Sequence, residues 1–268
     1  MPFFTDQTGN TIEIDKTPTR IVSIVPSQTE LLADLGLDKE VLGITKFCVH
    51  PENWFKSKIR IGGTKNIRID VIHSLRPDLV IGNKEENVKE QVEEIRKYYP
   101  VWVSDINTLE DAYDMIESIG TITNTSTIAG SFISKIEEEF KKLEVVTSNI
   151  YSRISAAYLI WKDPYMAAGG DTFIQEMMNW CQFRNIFEDI PRYPVITMED
   201  IRNADCKLLL LSSEPFPFNQ KHLEFFQDQL PDTTILLVDG EMFSWYGSRL
   251  QYAPSYFGNV LQKIGFEV

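Results

Sequence analysis

The sequence predicts an α/β protein of two lobes, each with a central, mainly parallel β-sheet flanked by helices, joined by one long α-helix. Three observations lead to this prediction. Short apolar runs alternate with segments of helical period along the 268 residues. One long, one-sided helical segment separates the first four runs from the last three, and two stretches on either side of it resemble each other. At this length, one larger α/β domain is the alternative to two lobes.

Seven apolar runs, rich in Val, Ile and Leu, are the predicted strands. Their almost unbroken apolar character is typical of strands that are covered on both faces of a parallel sheet. Their alternation with helical segments indicates crossover helices between parallel strands. The predicted strands cover residues 21–25, 42–45, 79–82, 101–103, 156–161, 208–213 and 235–239.

The segment 125–148 has apolar residues in steps of three and four around the charged run KIEEEFKK. This spacing places them on one side of a helix of roughly 30 Å. They are Ile128, Phe132, Ile136, Phe140 and Leu143. We therefore expect an N-terminal lobe over residues 1–124, a connecting helix over 125–149 and a C-terminal lobe over 150–268. A helix lying on one continuous sheet is the alternative.

An internal similarity supports two related halves. Residues 70–81 and 199–210 both contain an acid, a short helical pattern and a buried strand in the same order. The match is short, but it places Asp70 and Glu199 at equivalent positions. Each acid opens a short helix, where a carboxylate is favoured by the helix dipole. Helix capping is therefore a sufficient structural reason for both.

The charge balance limits the classes of partner. A formal charge of −13 and a pI near 4.8 disfavour nucleic acid and anionic membranes, which are bound through basic surfaces. An acidic protein suits a cationic partner surface, although net charge also serves solubility alone.

The cysteines and the N-terminal residues bear on the question of which cellular compartment the protein occupies. Cys48, Cys181 and Cys206 are an odd number at unrelated spacings, which predicts buried thiols and no disulfide framework. No apolar run has the length of a membrane helix, and the first residues lack the pattern of a signal peptide. The sequence as written is expected to be cytoplasmic, or exported with its leader removed.

Motifs of catalysis are weak in this sequence. His50, His73 and His222 have no metal-ligand spacing, and there is no G-x-G-x-x-G, P-loop or G-x-S-x-G motif. Gly169 and Gly170 resemble part of a phosphate loop, but a tight turn before a helix accounts for them more simply. We expect no catalytic residue, no metal site and no cofactor, although distant residues can still assemble into a triad.

Polar and aromatic residues follow several predicted strands, where open α/β sheets bind their ligands. Pro26 and Ser27 lie between the first strand and a helix, so Ser27 is expected either to face a ligand or only to cap the helix. Further candidates at strand ends are Phe47, Cys48, Asn83, Lys84, Trp161 and Lys162.

Residues 240–249 contain three aromatic residues and an arginine directly after a strand. Large apolar side chains are costly to leave in water, so Phe243, Trp245 and Tyr246 are expected to contact a ligand or to fold onto the protein's own core. Arg249 could pair with a carboxylate or phosphate of the ligand.

Together these residues resemble the periplasmic solute-binding proteins with a helical backbone, which deliver vitamin B12, ferric siderophores or haem to ABC permeases. The resemblance covers nearly the whole chain and is closest to the cobalamin-binding type. It depends on residues 20–30 (RIVSIVPSQTE), 74–81 (SLRPDLVI), 168–174 (AGGDTFI), 185–187 (NIF) and the aromatic loop ending at Arg249.

The resemblance implies a largely preformed cleft between two lobes and one acid per lobe that docks on permease arginines. These acids correspond to Asp70, shorter than the family's glutamate, and Glu199. The resemblance also implies ligand contacts from both lobes. The residues at the corresponding positions are Phe47, Tyr193, Phe243, Trp245, Tyr246 and Arg249, with Lys65, Lys84 and Lys162 suited to an anionic chelate.

The ligand class stays open at this point. Thr64 and Asn83 stand where cobalamin binders tend to have tryptophan, and Tyr246 or His50 could be an axial ligand to haem. The leading hypothesis is a monomeric binding protein that captures a corrinoid or iron chelate and delivers it to an ABC importer outside the cytoplasm. The alternatives are a cytoplasmic carrier without a permease, and an enzyme that uses the inter-lobe cleft.

Overall fold

The computed structural model describes residues 2–266 and divides the chain into two compact units. Unit 1 contains the chain up to Ile106, Glu110–Lys135 and Tyr246–Arg249. Unit 2 contains Asn107–Leu109, Ile136–Trp245 and the chain from Leu250 onward. This division differs from the predicted boundaries chiefly at Tyr246–Arg249, because four residues from the C-terminal part of the sequence pack within unit 1.

Unit 1 has a central sheet of five parallel strands, in the order β5-β4-β3-β8-β9. Two small antiparallel hairpins, β1-β2 and β6-β7, accompany it. The strands are β1 (Phe3–Thr5), β2 (Thr11–Glu13), β3 (Ile21–Ser23), β4 (Val41–Ile44), β5 (Ile59–Arg60), β6 (Gly62–Gly63), β7 (Asn66–Ile67), β8 (Leu79–Asn83) and β9 (Val101–Ser104). The helices are α1 (Pro26–Asp34), α2 (Glu52–Ser57), α3 (Ile69–Leu75), α4 (Lys89–Arg96) and α5 (Leu109–Ile122).

Unit 2 has a mainly parallel sheet in which β10 pairs with β12 and β13, β13 pairs with β14, and the short β11 is antiparallel to β10. Its strands are β10 (Ile154–Trp161), β11 (Met166–Ala167), β12 (Phe183–Asn185), β13 (Leu208–Ser212) and β14 (Thr234–Val238). The helices after α6 (Ser126–Thr147) are α7 (Phe173–Trp180), α8 (Met198–Asn203), α9 (Gln220–Gln229), α10 (Gly240–Ser244) and α11 (Ala253–Lys263), and a 3-10 turn covers Ser248–Tyr252.

The predicted fold class is confirmed. All seven apolar runs fall on observed strands, and β3, β8, β9 and β13 are buried along their whole length. The long helical segment is α6, whose first part belongs to unit 1 and whose remainder belongs to unit 2. Within the described residues, no helix is both long and apolar enough to cross a membrane.

Each sheet has a point where the strand order reverses direction. In unit 1, β3 lies between β4 and β8, and in unit 2, β10 lies between β12 and β13. Next to the first strand of each sheet, crossover connections leave in opposite directions and open a crevice at the carboxyl ends of the strands. The functional side chains should therefore be sought at two edges: the ends of β3 and β8, and the ends of β10 and β13.

Gly169 and Gly170 follow β11 at a point where two backbone segments come close together. Their amides donate hydrogen bonds to the carbonyls of Arg192 and Ile190, at 2.7 and 2.9 Å. A Cβ on Gly170 would lie 1.8 Å from the carbonyl oxygen of Glu188, and one on Gly169 would lie 2.1 Å from that of Ile190. The two glycines are therefore needed for the close approach of two backbone segments.

We predict that Gly170→Ala lowers the free energy of unfolding by about 3 kcal/mol, because the Cβ would displace the backbone around Glu188. Gly130→Ala is the matched control. Gly130 lies in α6 with nothing within 4 Å of the position of a Cβ, so alanine should raise stability by up to about 1 kcal/mol. Chemical denaturation of both variants measures the difference, and a Gly170→Ala protein as stable as wild type would contradict the packing argument.

Candidate functional site at the carboxyl ends of the two sheets

The unit 1 edge begins with the first turn of α1, which follows β3 directly. Val25 is the N-cap, Pro26 occupies the first turn, and no side chain caps the helix. Ser27 therefore lies inside the first turn and not at the N-cap position that the sequence suggested. It is buried, with 6% of its surface exposed. The free amides of this first turn face the end of the strand and suit a polar or anionic group.

A turn after β8 forms the second part of this edge. The side-chain oxygen of Asn83 accepts hydrogen bonds from the amides of Glu85 and Glu86, both at 2.9 Å. Asn87 accepts from the amide of Asn83 at 2.8 Å and donates to the carbonyls of Ile24 and Thr64, at 3.0 and 3.2 Å. Because both asparagines are buried and fully engaged, the turn is held rigidly against the sheet.

Asn83 and Thr64 thus have structural roles. Asn83 also donates to the hydroxyl of Ser104 at 2.9 Å, and that hydroxyl accepts from the amide of Gln28 on α1. Thr64 is buried and its carbonyl holds Asn87. At these two positions the chain thus has a buried polar network around Asn83 and a buried Thr64 in place of tryptophan.

Phe47 and Cys48 have opposite environments. Phe47 is 50% exposed, with the ammonium of Lys46 lying 4.9 Å from the centre of its ring. Cys48 has no exposed surface, and its sulfur lies 3.1 Å from the hydroxyls of Thr29 and Thr45. Burial raises the pKa of the Cys48 thiol. The structure therefore differs from the expectation for Cys48, which belongs to the core, whereas Phe47 presents its ring to solvent.

Arg249 forms a bidentate ion pair within unit 1. Its Nε and one terminal nitrogen donate to the two carboxylate oxygens of Glu30 at 2.7 and 2.6 Å. The side chains are only 14% and 16% exposed. Burial raises the pKa of Glu30, and the hydrogen bond and charge of Arg249 oppose that rise. Arg249 is thus committed to fixing Tyr246–Arg249 against α1, which differs from the expected contact with a ligand.

The other expected cations at this edge are also engaged. Lys65 donates to the carbonyl of Glu85, and Lys84 forms an ion pair with Asp105 just after β9. The Lys84 side chain is 62% exposed, so the pair with Asp105 contributes little to stability.

The unit 2 edge presents an aromatic cluster at the ends of β10 and β13. Trp161 is 39% exposed, and its ring lies 5.9 Å from Phe216, which in turn lies 5.3 Å from His222. Lys162 is 3.7 Å from the exposed Asp163. Sequence analysis identified Trp161 but missed Phe216 and His222. For Phe216, the signal was present in EPFPF directly after the predicted strand 208–213, because two phenylalanines that alternate with prolines in a loop need to be covered.

The aromatic loop after β14 is mostly core. Phe243 has no exposed surface and packs against Tyr158 and Phe257, at ring distances of 5.1 and 4.7 Å. The indole nitrogen of Trp245 donates to Glu214 at 2.8 Å, and Tyr246 is 8% exposed. Phe243 therefore follows the alternative in which this loop folds onto the protein's own core, which differs from the expected contact with a ligand.

A groove of about 380 Å³ lies at the opposite, amino-terminal edge of the unit 2 sheet. Its cations are exposed, and Lys207 is paired with Asp205. Because open α/β sheets bind ligands at the carboxyl ends of their strands, this groove is not the candidate site.

A family model described as periplasmic binding protein matches residues 21–232 of this chain. These residues include the strands β3 to β13. This chain belongs to the periplasmic binding protein family.

Two proteins with curated names are similar to this chain in sequence. An uncharacterised ABC transporter substrate-binding lipoprotein of Bacillus subtilis is 26% identical over 204 residues, which are 73% of this chain and 64% of that protein. The chain therefore spans less than two thirds of that relative. A vitamin B12-binding protein of Vibrio parahaemolyticus is 22% identical over 72% of this chain and 70% of its own length.

Among solved structures, a periplasmic haem-binding protein of Pseudomonas aeruginosa superposes with a TM-score of 0.80. The match covers 93% of this chain and 94% of that protein at 16% identity. It supports the fold of this periplasmic binding protein.

The two candidate docking acids of this periplasmic binding protein differ in their local contacts. Asp70 is in the first turn of α3, 73% exposed, with Arg68 at 3.3 Å. Glu199 is exposed in the first turn of α8. The capping box of α8 is made by Thr197 and Asp200, at 3.2 Å from hydroxyl to amide and 2.7 Å from amide to carboxylate. Helix capping therefore accounts for Asp200 and leaves Glu199 without a capping role.

Tyr193 and the histidines complete the set of expected residues. Tyr193 is half-buried, and the guanidinium of Arg192 lies 5.9 Å from its ring centre. His73 is 3.0 Å from the hydroxyl of Tyr99, and Nδ1 of His222 accepts from the amide of Asn219 at 3.1 Å. Among residues 2–266 there is no group of three or more His, Cys, Asp or Glu side chains placed to hold a metal ion.

We predict that Arg249→Met destabilises the protein by about 3 kcal/mol at pH 7, because Glu30 is left buried without its partner. The loss of Arg249 raises the pKa of Glu30 further, and a raised folded-state pKa costs stability as the pH rises through it. The deficit should therefore be larger at pH 7 than near pH 4.

The double variant Glu30→Gln/Arg249→Met should recover most of this loss, and Asp105→Asn, which breaks an exposed pair, should cost less than about 1 kcal/mol. Urea denaturation of the wild type, Glu30→Gln, Arg249→Met and the double variant measures the coupling of the pair, with Asp105→Asn as the exposed comparison. Equal losses for Arg249→Met and Asp105→Asn would show that the buried pair has no special role.

Proposed function

We propose that this periplasmic binding protein captures a corrinoid or an iron chelate and delivers it to an ABC importer. The observation that carries the proposal is an exposed aromatic ring at the carboxyl edge of each sheet, Phe47 in unit 1 and Trp161 in unit 2. Exposed rings at the carboxyl edges of parallel sheets suit a large ligand with a flat or apolar surface. The names of the relatives, a vitamin B12-binding protein and a substrate-binding lipoprotein of an ABC transporter, agree with it.

The polar part of the proposed site would orient this ligand. The free amides of the first turn of α1 and the hydroxyl of Ser27 offer hydrogen-bond donors. The rigid turn at Asn83 keeps its backbone and the Lys84 side chain in place. A preformed edge of this kind binds with a small loss of conformational entropy. No step in this function makes or breaks a covalent bond.

His222, which lies beside Phe216 at the unit 2 edge, is poorly suited to act as an axial ligand to haem. Nδ1 of His222 accepts a hydrogen bond from the Asn219 amide that caps α9, which puts the ring proton on Nε2. Burial lowers the pKa of His222, so the ring is neutral at pH 7. Coordination of iron through Nε2 would require the loss of that proton or of the helix cap. An axial bond from His222 is therefore disfavoured.

The proposed place of action is outside the cytoplasmic membrane, like that of the relatives named periplasmic or lipoprotein, and the proposed oligomeric state is a monomer. A cytoplasmic carrier was suggested by the three cysteines. All three are buried, so their thiols do not require a reducing compartment, and the relatives give the cytoplasmic alternative no support.

Phe47→Ala and Trp161→Ala should each weaken binding roughly tenfold, because each removes about 1.4 kcal/mol of contact with the ligand. Tyr151→Ala is the matched control, since Tyr151 is 96% exposed away from both edges. Calorimetric titration with cyanocobalamin, dicyanocobinamide, haemin and ferrioxamine B identifies the ligand and measures Kd. A ligand at 100 times its Kd should stabilise the wild type by about 2.7 kcal/mol. The absence of binding to all four would refute the proposed function.

We further propose that Asp70 and Glu199 dock on basic residues of the permease. Charge reversal at both positions, Asp70→Lys with Glu199→Lys, should abolish ligand uptake into vesicles containing the cognate importer. Both side chains are exposed in the first turns of α3 and α8, so ligand Kd should be unchanged. Glu144→Lys with Glu224→Lys, on the exposed surfaces of α6 and α9, is the control for the same change of net charge. Full uptake by the double variant would exclude docking through these acids.

A further inference from the structure

Phe47 lies at the tip of a tight turn that follows β4, and the backbone of this turn is fixed. The amide of Cys48 donates to the carbonyl of Thr45 at 3.3 Å, which closes the turn. The amide of Phe47 donates to the Thr45 hydroxyl at 3.2 Å, and the amide of Lys46 donates to the carbonyl of Gly62 at 2.8 Å. The turn is therefore fastened to the β6–β7 hairpin, although Phe47 itself is half exposed.

The ring of Phe47 packs against the backbone of Gly63, the second residue of β6. A Cβ on Gly63 would lie 3.1 Å from Cε2 of Phe47 and 3.4 Å from Cε of Lys46. Carbon atoms in van der Waals contact are normally about 3.5–4.0 Å apart, so the two side chains occupy the space that a side chain at position 63 would need. Gly63 is thus buried at an edge where Phe47 reaches solvent.

The backbone gives no reason for a glycine at position 63. Gly62 has a φ of +99°, and a Cβ there would lie 2.4 Å from the carbonyl oxygen of Asn66, so the hairpin requires that glycine. The φ of Gly63 lies outside the left-handed region, and the three atoms nearest to a Cβ on Gly63 belong to the Phe47 and Lys46 side chains. Because a glycine inside a strand is less stable than alanine, the reason for Gly63 lies in the side chains for which it leaves room.

Stability of the fold gives little reason to leave this room. A half-exposed ring adds less to the free energy of folding than a buried one, because much of its surface stays in water. The ammonium of Lys46 lies 4.9 Å from the centre of the Phe47 ring, and a cation–π contact at an exposed site is weak. Gly63 therefore serves to place the ring and adds little to the core.

From these contacts we infer that Gly63 is a positioning residue for ligand binding, because its missing Cβ lets the Phe47 ring stand in one place at the carboxyl edge of unit 1. The inference rests on the proposed function, in which this ring contacts the ligand. Gly63 acts through Phe47 and does not touch the ligand itself. A ring that is already in its binding position loses little conformational entropy when a flat ligand covers it. A side chain at position 63 displaces the ring and weakens binding.

Substitutions of increasing size at position 63 test the inference. Gly63→Ala pushes the ring aside by a few tenths of an ångström and should weaken binding roughly threefold. Gly63→Val fills the place of the ring and should weaken binding roughly tenfold, as Phe47→Ala does. Calorimetric titration measures Kd for whichever of cyanocobalamin, dicyanocobinamide, haemin and ferrioxamine B the wild type binds. Gly130→Ala, with open space around the new Cβ, is the control and should keep the wild-type Kd.

Two further measurements show whether position 63 acts through the ring. Gly63→Val/Phe47→Ala should bind no more weakly than Phe47→Ala alone, because the ring that valine displaces is already absent. A para-fluorophenylalanine incorporated at position 47 reports on the ring without any ligand, and its fluorine NMR signal should shift or broaden in both Gly63 variants but not in Gly130→Ala. Gly63→Ala should be at least as stable to urea as wild type, whereas a glycine needed only for folding would make this variant less stable.

The outcomes separate this inference from the proposed function. Wild-type Kd in Gly63→Val, or an unmoved fluorine signal, would overturn the positioning role and leave the capture of chelates standing. A loss of affinity that persists in the Phe47→Ala background would also overturn it, because Lys46 or the backbone would then carry the effect. If Gly63→Val does not fold, the same comparisons with Gly63→Ala decide the question. If wild type binds none of the four ligands, the proposed function is refuted and the positioning role with it.

Discussion

The constraint on which the rest of the structure depends is that strands covered on both faces must satisfy their polar groups inside the sheet. β3, β8, β9 and β13 are buried along their whole length, so polar and charged side chains that are to meet a solute lie just beyond the strand ends. Parallel pairing then brings the carboxyl ends to one edge of each sheet. The position of the candidate site is therefore a consequence of how the sheets are buried.

At the unit 1 edge, the same burial decides which charges are available. Glu30 and Arg249 neutralise one another in an ion pair from which solvent is largely excluded. The side-chain amides of Asn83 and Asn87 form their hydrogen bonds with the turn after β8 and its neighbours. What reaches solvent is an aromatic ring, Phe47, with the ammonium of Lys46 over it. A ligand edge of this kind binds by contact area and fixed amide groups more than by charge pairing.

The fold could be predicted from the sequence because unbroken Val, Ile and Leu runs have one stable environment in a chain of this length. The site could be predicted only in part. Phe47 and Trp161 stay candidates because they lie just after β4 and at the last residue of β10, where parallel pairing brings side chains to the carboxyl edge of a sheet. The sequence leaves Phe243 open between a ligand and the core and suggests a ligand for Arg249, because it does not show that Tyr158, Phe257 and Glu30 are their partners. The Glu30–Arg249 contact joins residues 219 positions apart and leaves no local pattern.

The two acids proposed for docking, Asp70 and Glu199, show how local geometry can separate two roles that the sequence leaves equal. A carboxylate at a helix start serves the helix when it binds a free amide, and Asp200 does so. The amide of Thr197 at the start of α8 is already bound to the carboxylate of Asp200. Glu199 therefore gains only the weak attraction of the helix dipole, which water screens at an exposed position. At α3 no side chain caps the first turn, and Asp70 meets only an exposed Arg68. The stability of either helix therefore gives little reason for an acid at these positions, which is why we propose contact with a cationic partner for both.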